Sequence, residues 1–262
     1  MDVHYQNGLK YFTFQCFSGN DVEHAIFTRQ GGISEGVYRS LNLGGTSGDE
    51  PDAVMENHQR VFKAINRKFE SRYDVWQVHG NRIICTEHAR PENEKHIPAD
   101  GIFTNKPDVT LMMRFADCVP LLFHDPVKKV IGIVHAGWQG TLLKIGAEAV
   151  KVVSERYGCL AEDLTVAIGP SICRECYQIG HTVAEKFETE FGESPNEILV
   201  HDQSGFHLDL WKANEIILRK TGIRNIEISN ICTAHNLDDW YSHRAENGKT
   251  GRFGVLMGLP KG

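Results

Sequence analysis

The stretch from Val109 to Thr141 constrains the fold most, because long apolar runs lie on either side of a short polar turn. The turn is His124-Asp125-Pro126, and the runs around it are rich in β-branched and aliphatic side chains. Short runs of this kind, bounded by Asp, Pro and Gly, are typical of buried strands. We therefore predict strands over residues 109–115, 119–123 and 130–134.

These predicted strands carry chemically able residues at their ends. Cys118 lies between the first two strands, and His135 directly follows the third. His79 ends an earlier apolar stretch in the same way and is followed by Gly80. A rigid sheet positions the residues at strand ends, which makes them common binding and catalytic residues. We therefore predict that the fold brings His79, Cys118 and His135 together.

Two imidazoles and a thiolate are good zinc ligands, and three protein ligands leave one position open for water or substrate. The long intervals between the three residues match no short metal motif, so the hypothesis depends on their shared place at strand ends. The same residues permit a second chemistry, in which Cys118 is a nucleophile and one histidine is its base. If the Asp117 side chain points the same way as the neighbouring thiol, it is expected to raise the pKa of that thiol unless a metal or a protonated histidine offsets the effect.

The rest of the chain mixes strands and helices without strict alternation, which favours a mixed-sheet α/β or α+β fold over a barrel. We predict helices near residues 49–66, 139–157, 180–191 and 209–221. Further strands are predicted near residues 10–17, 24–28, 72–78, 82–86, 164–168, 226–231 and 252–258. We expect residues 1–262 to form a single catalytic domain.

The net charge of −6 argues against a general nucleic-acid binder. No apolar run approaches the length of a membrane span, and the first residues lack the pattern of a secretory signal. The seven cysteines are an odd number, which argues against a disulfide framework. We therefore expect a cytoplasmic protein that binds neither nucleic acid nor membranes, and the sequence leaves its oligomeric state open.

Two polar loops contain candidate ligands for an anion. In the glycine-rich segment 28–45, Arg29 and Asn42 are the side chains best suited to hold an anion or a sugar hydroxyl. Arg244 and Arg252 form a basic patch in a later loop and suit a phosphate or carboxylate. The alternative interpretations are a connecting loop in the first case and ordinary surface ion pairs in the second.

Cys173 and Cys176 have the CxxC spacing of a redox pair or of one half of a zinc knuckle. The chain has no second CxxC, and no thioredoxin-like context surrounds this one. We therefore interpret these two residues as incidental cysteines, while their role stays open.

Seven segments together resemble the YfiH family, also called the laccase-domain or polyphenol oxidase family. They are Thr28-Arg-Gln-Gly-Gly32, Ser40-Leu-Asn-Leu43, Gln77-Val-His-Gly80, Ala116-Asp-Cys-Val-Pro120, His135-Ala-Gly-Trp-Gln-Gly-Thr141, Ile168-Gly-Pro-Ser-Ile172 and Thr250-Gly-Arg252. Each is common alone, but all of them in this order are highly specific. The resemblance implies a single layered α/β domain with mixed sheets and a zinc site at His79, Cys118 and His135.

Members of the family look like purine nucleoside phosphorylases that also cleave methylthioadenosine and deaminate adenosine. The resemblance therefore implies a purine nucleoside and phosphate as substrates. Older descriptions are a copper-dependent polyphenol oxidase and a hydrolase that edits peptidoglycan precursors. None of the thirteen histidines forms an H-x-H pair of the multicopper kind, which favours nucleoside chemistry. Two histidines and a cysteine would nevertheless also accept copper.

Deamination fits zinc most directly, since zinc lowers the pKa of a bound water that attacks C6 of the purine. Phosphorolysis needs phosphate held against C1′ of the ribose, for which Arg29, Arg244, Arg252 and the helix start after Gly140 are candidates. Three hypotheses remain: a zinc-dependent nucleoside enzyme, a Cys–His hydrolase of amides or esters, and a non-catalytic binding protein.

Overall fold

The computed structural model describes residues 1–19, 22–192 and 195–261, over which it shows a mixed α/β fold with three sheets. This confirms the predicted fold class. The strands are β1 (Asp2–Gln6), β2 (Leu9–Thr13), β3 (Glu23–Phe27), β4 (Arg72–Tyr73), β5 (Ile83–Cys85), β6 (Gly101–Thr104), β7 (Thr110–Phe115), β8 (Val119–Asp125), β9 (Val130–Ala136), β10 (Thr165–Ile168), β11 (Gln178–Ile179), β12 (Leu199–Asp202), β13 (Gly205–Leu208), β14 (Asn225–Ile228) and β15 (Phe253–Gly258). The helices are α1 (Pro51–Ala64), α2 (Trp138–Leu142), α3 (Ile145–Tyr157), α4 (His181–Glu190), α5 (Pro195–Ile198) and α6 (Leu210–Lys220).

Two six-stranded sheets form the centre of the molecule. The first has the order β1-β2-β3-β15-β7-β4, so the strand latest in sequence lies between β3 and β7. The second has the order β14-β10-β8-β9-β6-β5, in which β8 and β9 form a hairpin and β10 runs parallel to β14. The third is a small sheet with the order β11-β13-β12.

The two large sheets face each other across an apolar layer. Met113 of β7 and Leu122 of β8 both point into this layer, whereas their neighbours Met112 and Leu121 pack on the outer faces. Successive side chains of a strand alternate between the two faces of a sheet. The outer face of the first sheet is covered by α1, and that of the second by helices including α3 and α6. Strands that are buried on both faces have continuous apolar sequences, which explains the runs in segment 109–134.

The prediction of one continuous helix over residues 139–157 is wrong, because the structure has two helices there. The chain forms α2 from Trp138 and then breaks, because Lys144 adopts a left-handed backbone conformation with φ of 55° before α3 begins. The apolar spacing runs on across this break, so the pattern gave no sign of it. Helix α3 ends as expected at Gly158, whose φ of 69° is the left-handed cap that favours glycine.

The other predicted elements are present, with differences at their ends. The strand predicted over residues 10–17 ends at Thr13, because Gln15–Phe17 form a 3-10 helix. The strand predicted over residues 72–78 is reduced to β4, and the small third sheet was not predicted. Among the described residues, no helix is long and apolar enough to cross a membrane.

Candidate metal centre

His79, Cys118 and His135 lie together, with their ligand atoms within 4.8 Å of one another. Cys118 directly precedes β8, and His135 near the end of β9 pairs with Pro120, so the hairpin brings these two side chains to one edge of the sheet. His79 approaches from the loop after β4, where it adopts a φ of 60°. The structure thus brings the three residues together, as predicted, and we call them the three-ligand centre.

A buried carboxylate organises this centre. Nδ1 of His135 lies 2.8 Å from Oδ1 of Asp100, whose side chain is fully buried. The same carboxylate accepts the backbone N–H groups of Val78 at 3.2 Å, His79 at 2.9 Å and Gly80 at 2.7 Å. One side chain therefore orients the His135 ring and holds the loop that carries His79. Asp100 was not among the residues predicted from sequence, where its only signal is an acidic residue directly before an apolar strand.

Gly137 keeps space open beside the centre. A Cβ at this position would lie 3.0 Å from Cys118 Sγ and 3.1 Å from His79 Cδ2. Any other residue would therefore push its side chain between two of the three ligands. This close approach accounts for the glycine that follows His135 and Ala136.

The charges in the centre favour a thiolate. Burial alone would raise the pKa of Cys118, but His135 and His79 outweigh it and lower the pKa to about 6. Burial alone would lower the pKa of His135, but the Cys118 thiolate and Asp100 raise it to about 9. A protonated histidine therefore offsets the increase in the Cys118 pKa that was expected from the neighbouring Asp117. The carboxylate of Asp117 is engaged by Thr233 Oγ1 at 2.7 Å and by the backbone N–H of Arg244 at 2.6 Å.

The donor set fits a single metal ion. A histidine that binds a metal commonly donates its other ring N–H to a carboxylate, and His135 does so to Asp100. Two imidazoles and one thiolate leave a position open in a tetrahedral zinc site. The same ligands suit copper, so the residues alone do not select between the two metals.

Arg244 and Arg252 lie on the loop between β14 and β15, which contacts the neighbour of Cys118 through the bond from the Arg244 N–H to Asp117. Nη1 of Arg244 donates to the carbonyl of Gln178 at 2.8 Å, and its guanidinium lies 5.1 Å from the ring centre of Tyr177. Burial lowers the pKa of Arg252, while the negative charges of Cys118 and Asp117 act in the opposite direction. The segment Asp117–Cys118 is thus bonded to the backbone of Arg244 and interacts electrostatically with Arg252.

Arg29 is engaged by other protein groups. Its Nη1 lies 3.0 Å from Glu246 Oε1 and donates to the Leu237 carbonyl at 3.1 Å, and its guanidinium lies 4.3 Å from the ring centre of Tyr241. Arg29 also lines a polar cavity of about 690 Å³, whose lining residues include none of the three ligands. The arginine therefore connects the glycine-rich loop to the loop that carries Arg244.

Asn42 is completely buried and has a similar connecting role. Its Oδ1 accepts the backbone N–H groups of Gly44 at 2.9 Å and Arg252 at 2.8 Å. Its Nδ2 donates to Asp49 Oδ2 at 2.9 Å. Asn42 thus fixes the backbone of Arg252 directly before β15.

The fold and the centre define a laccase-domain protein whose three-ligand centre could hold a metal ion. Residues 23–260 match the family model described as "Multi-copper polyphenol oxidoreductase laccase", and the chain belongs to this family. The chain is 34% identical over 250 residues to "Purine nucleoside phosphorylase YlmD" of Bacillus subtilis (strain 168), an alignment that covers 92% of this chain and 90% of that relative. It is 36% identical over 240 residues to "Purine nucleoside phosphorylase" of Deinococcus radiodurans, with the same two coverages.

The solved structures agree with this assignment. The fold is similar to the crystal structure of Bacillus licheniformis hypothetical protein YfiH, with a TM-score of 0.88 and 30% sequence identity over 97% of each chain. The resemblance to the YfiH family that the seven segments indicated is thereby confirmed.

Proposed function

We propose that this protein is a zinc-dependent purine nucleoside phosphorylase. It would convert inosine, guanosine or adenosine and phosphate into the free base and ribose 1-phosphate, and cleave methylthioadenosine in the same way. The observation that carries the proposal is the convergence of His79, Cys118 and His135 beside two arginines. Similarity over nine-tenths of the chain to two proteins named purine nucleoside phosphorylase supports it.

Zinc bound at the three-ligand centre would supply Lewis acidity and would lower the pKa of a water in its open position. The protein residues prepare this site before substrate arrives. Asp100 accepts the Nδ1 proton of His135, which leaves Nε2 as the ligand atom. Its three bonds to the backbone of residues 78–80 hold His79 at the required position.

Phosphate is assigned to Arg252 and Arg244 in this proposal. Arg252 is partly buried beside the centre, where a lower dielectric strengthens its attraction for an anion. A guanidinium can bind two phosphate oxygens at once. Arg29 and Asn42 contribute indirectly, since Arg29 holds Glu246 and Asn42 holds the backbone of Arg252.

Glu246 transmits the effect of Arg29 to the arginine-bearing loop. Its Oε2 accepts the backbone N–H of Ser242 at 2.9 Å and the hydroxyl of Thr250 at 2.5 Å. These two bonds close the segment that contains Arg244 and precedes Arg252. We therefore regard Arg29 as a positioning residue for the phosphate site.

Adenosine deamination is proposed as a second reaction of the same centre. In this reaction water replaces the amino group at C6 of the purine, and inosine and ammonia are formed. The open position beside two imidazoles and a thiolate supports it, because zinc deaminases activate water in such a position. The polyphenol oxidase and Cys–His hydrolase hypotheses become outcomes of the same experiment.

The test measures purified protein with inosine and phosphate, and separately with adenosine, alongside its zinc and copper content. Hypoxanthine and ribose 1-phosphate should form together, and omission of phosphate should abolish both. Cys118→Ala, purified in parallel, should form neither. A zinc-loaded wild-type protein without base release would overturn the proposal. Copper-dependent oxidation of phenols would support the polyphenol oxidase hypothesis. Hydrolysis of esters or amides by metal-free protein would support the Cys–His hydrolase hypothesis.

A further inference from the structure

A second group of metal-ligating side chains lies outside the three-ligand centre. The ligand atoms of Cys173, Cys176, Cys232 and His235 all lie within 4.8 Å of one another. Sγ of Cys176 is 3.1 Å from Nε2 of His235, and Sγ of Cys173 is 3.7 Å from its Nδ1. Cys173 and Cys232 are buried, whereas His235 is exposed. We call these residues the four-ligand cluster.

The sheet brings the two halves of this cluster together. Strands β10 and β14 are parallel neighbours, so the segments that follow them leave the sheet at the same edge. Beyond the strands, Ser171 and Cys232 still pair as an isolated parallel bridge. The backbone N–H of Thr233 donates to the carbonyl of Ser171 at 3.1 Å. Residues that are far apart in sequence therefore meet through backbone pairing that does not require a metal.

The CxxC segment completes the arrangement. A 3-10 helix over Arg174–Cys176 turns the chain, so that both thiols of the segment face the same point. The backbone N–H of Cys173 is directed at Sγ of Cys232 at 3.4 Å, which joins the CxxC segment to the segment after β14. Cys173 and Cys176 thus have two further possible ligands beside them, Cys232 and His235, which the CxxC spacing alone did not indicate.

We propose that the four-ligand cluster binds one structural zinc ion. Zinc binds cysteine sulfur at about 2.3 Å and histidine nitrogen at about 2.0–2.1 Å, which separates tetrahedral ligands by roughly 3.5–3.8 Å. The observed separations reach these values with shifts of about 1 Å or less. Three thiolates and an imidazole fill the tetrahedron and select a soft metal over magnesium or calcium. No ligand position remains for a substrate, so the ion has a structural role.

The proposed ion would stabilise the two segments that hold Asp117, the residue next to Cys118. The backbone N–H of Ile172 donates to the carbonyl of Asp117 at 3.0 Å, and Thr233 Oγ1 donates to its carboxylate at 2.7 Å. Both segments that the ion would join therefore contact the residue next to Cys118. This positioning role depends on the proposed nucleoside activity, whereas the metal site itself does not.

Metal content tests the site independently of activity. Wild-type protein, purified under reducing conditions without chelator, should contain about two zinc ions per chain. Cys118→Ala should contain one, because it loses only the ion of the three-ligand centre. Cys232→Ser should also contain one, and the double variant none. Cys159→Ser is the matched control: Cys159 is also buried but lies outside both ligand groups, so the variant should keep two zinc ions.

Cobalt gives a second readout in the Cys118→Ala background. Cobalt at the four-ligand cluster should show a thiolate charge-transfer absorption that is stronger than a single thiolate gives, because its intensity grows with the number of sulfur ligands. His235→Ala changes an exposed side chain and should fold even where Cys232→Ser does not. The double variant Cys118→Ala/His235→Ala should lose its zinc to a chelator at a concentration at which Cys118→Ala retains its zinc.

Three outcomes would overturn the proposal. The first is one zinc ion in wild-type protein and none in Cys118→Ala. The second is equal zinc retention by His235→Ala and its parent. The third is a disulfide among Cys173, Cys176 and Cys232 in protein purified under reducing conditions. None of these outcomes bears on whether the three-ligand centre cleaves nucleosides.

Discussion

His135 Nδ1 and Asp100 Oδ1 are 2.8 Å apart, and the carboxylate that makes this contact also holds the backbone at His79. Two of the three ligands in the centre therefore depend on one side chain that is not itself a ligand. Removing its charge should weaken metal binding without removing any ligand.

The first prediction is that Asp100→Asn lowers zinc affinity at the three-ligand centre about 10- to 100-fold. The amide nitrogen cannot accept an N–H, so the variant loses either the His135 contact or a backbone contact. Competition with a chromophoric chelator measures this affinity. Asp125→Asn is the control, because Asp125 is also fully buried but caps the turn between β8 and β9. Unchanged zinc affinity in Asp100→Asn would show that the carboxylate is dispensable.

The second prediction concerns His79, Cys118 and His135 as a unit. Each single alanine substitution should remove most phosphorolysis and most deamination, because loss of one ligand of three releases or misplaces the metal. Removing a second ligand should then cost little more, so Cys118→Ala/His135→Ala should resemble either single variant. Activity on both substrates and metal content are measured for all four proteins. In a Cys–His dyad, by contrast, one of the two histidine variants would keep nearly normal activity.

The third prediction is that Arg29→Ala raises the KM for phosphate several-fold while the protein stays folded. The physical reason is the loss of the Arg29–Glu246 ion pair, which frees the loop that carries Arg244. Glu246→Gln should have the same effect, and the double variant should be no worse than either single one. Arg39→Ala is the control, since Arg39 lines the same cavity as Arg29 but is exposed. An equal increase in KM for Arg39→Ala would indicate that phosphate binds in that cavity instead.

The fourth prediction concerns stability and pH. Asp74 is almost completely buried, and its carboxylate contacts Arg72, Arg90, Arg114 and His96 at 2.8–3.2 Å. Burial alone would raise the pKa of Asp74, but the hydrogen bond from His96 and the charges of Arg114 and Arg72 hold this pKa far below its usual value. A depressed pKa gives stability that is present above the unfolded value of about 3.9 and is lost as the pH falls toward the folded value.

Asp74→Asn should therefore lower the free energy of unfolding at pH 7 by about 3–5 kcal/mol, because three arginines lose their shared partner. The difference from wild type should be constant down to about pH 4 and should narrow at lower pH. Urea unfolding at several pH values measures it. Asp108→Asn is the control, since its ion pair with Lys261 is exposed and should contribute little. A difference that persists unchanged at pH 2 would contradict the prediction.

The apolar strands and the three ligands were predictable from sequence because the ligands follow apolar runs that mark the strands. Strands β7, β8 and β9 are buried on both faces, so their sequences are continuously apolar and their ends are sharply marked. Cys118 and His135 stand at those ends, and the hairpin makes them neighbours. The apolar sequence pattern and the pairing of two consecutive strands were therefore sufficient to predict that Cys118 and His135 are neighbours.

Asp100 and the four-ligand cluster were not predictable in this way. Asp100 meets His135 because Gly101 of β6 pairs with Val134 of β9, a contact between segments that are distant in sequence. Cys173 meets Cys232 only because β10 and β14 are parallel neighbours. Arg29 and Asn42 show a related difficulty, since a polar side chain in a loop has the same sequence pattern whether it binds a ligand or a protein carbonyl.

The central place of β15 has a consequence for synthesis on the ribosome. Residues 253–258 pair with β3 on one side and β7 on the other, so the first sheet stays in two pieces until this strand has left the exit tunnel. Arg252 lies directly before this strand and is delivered together with it. Nascent chains that stop short of residue 253 would expose two apolar sheet edges at once, which is the kind of surface that chaperones bind. The first sheet and the proposed phosphate site are therefore completed together, after β1–β14 have been synthesised.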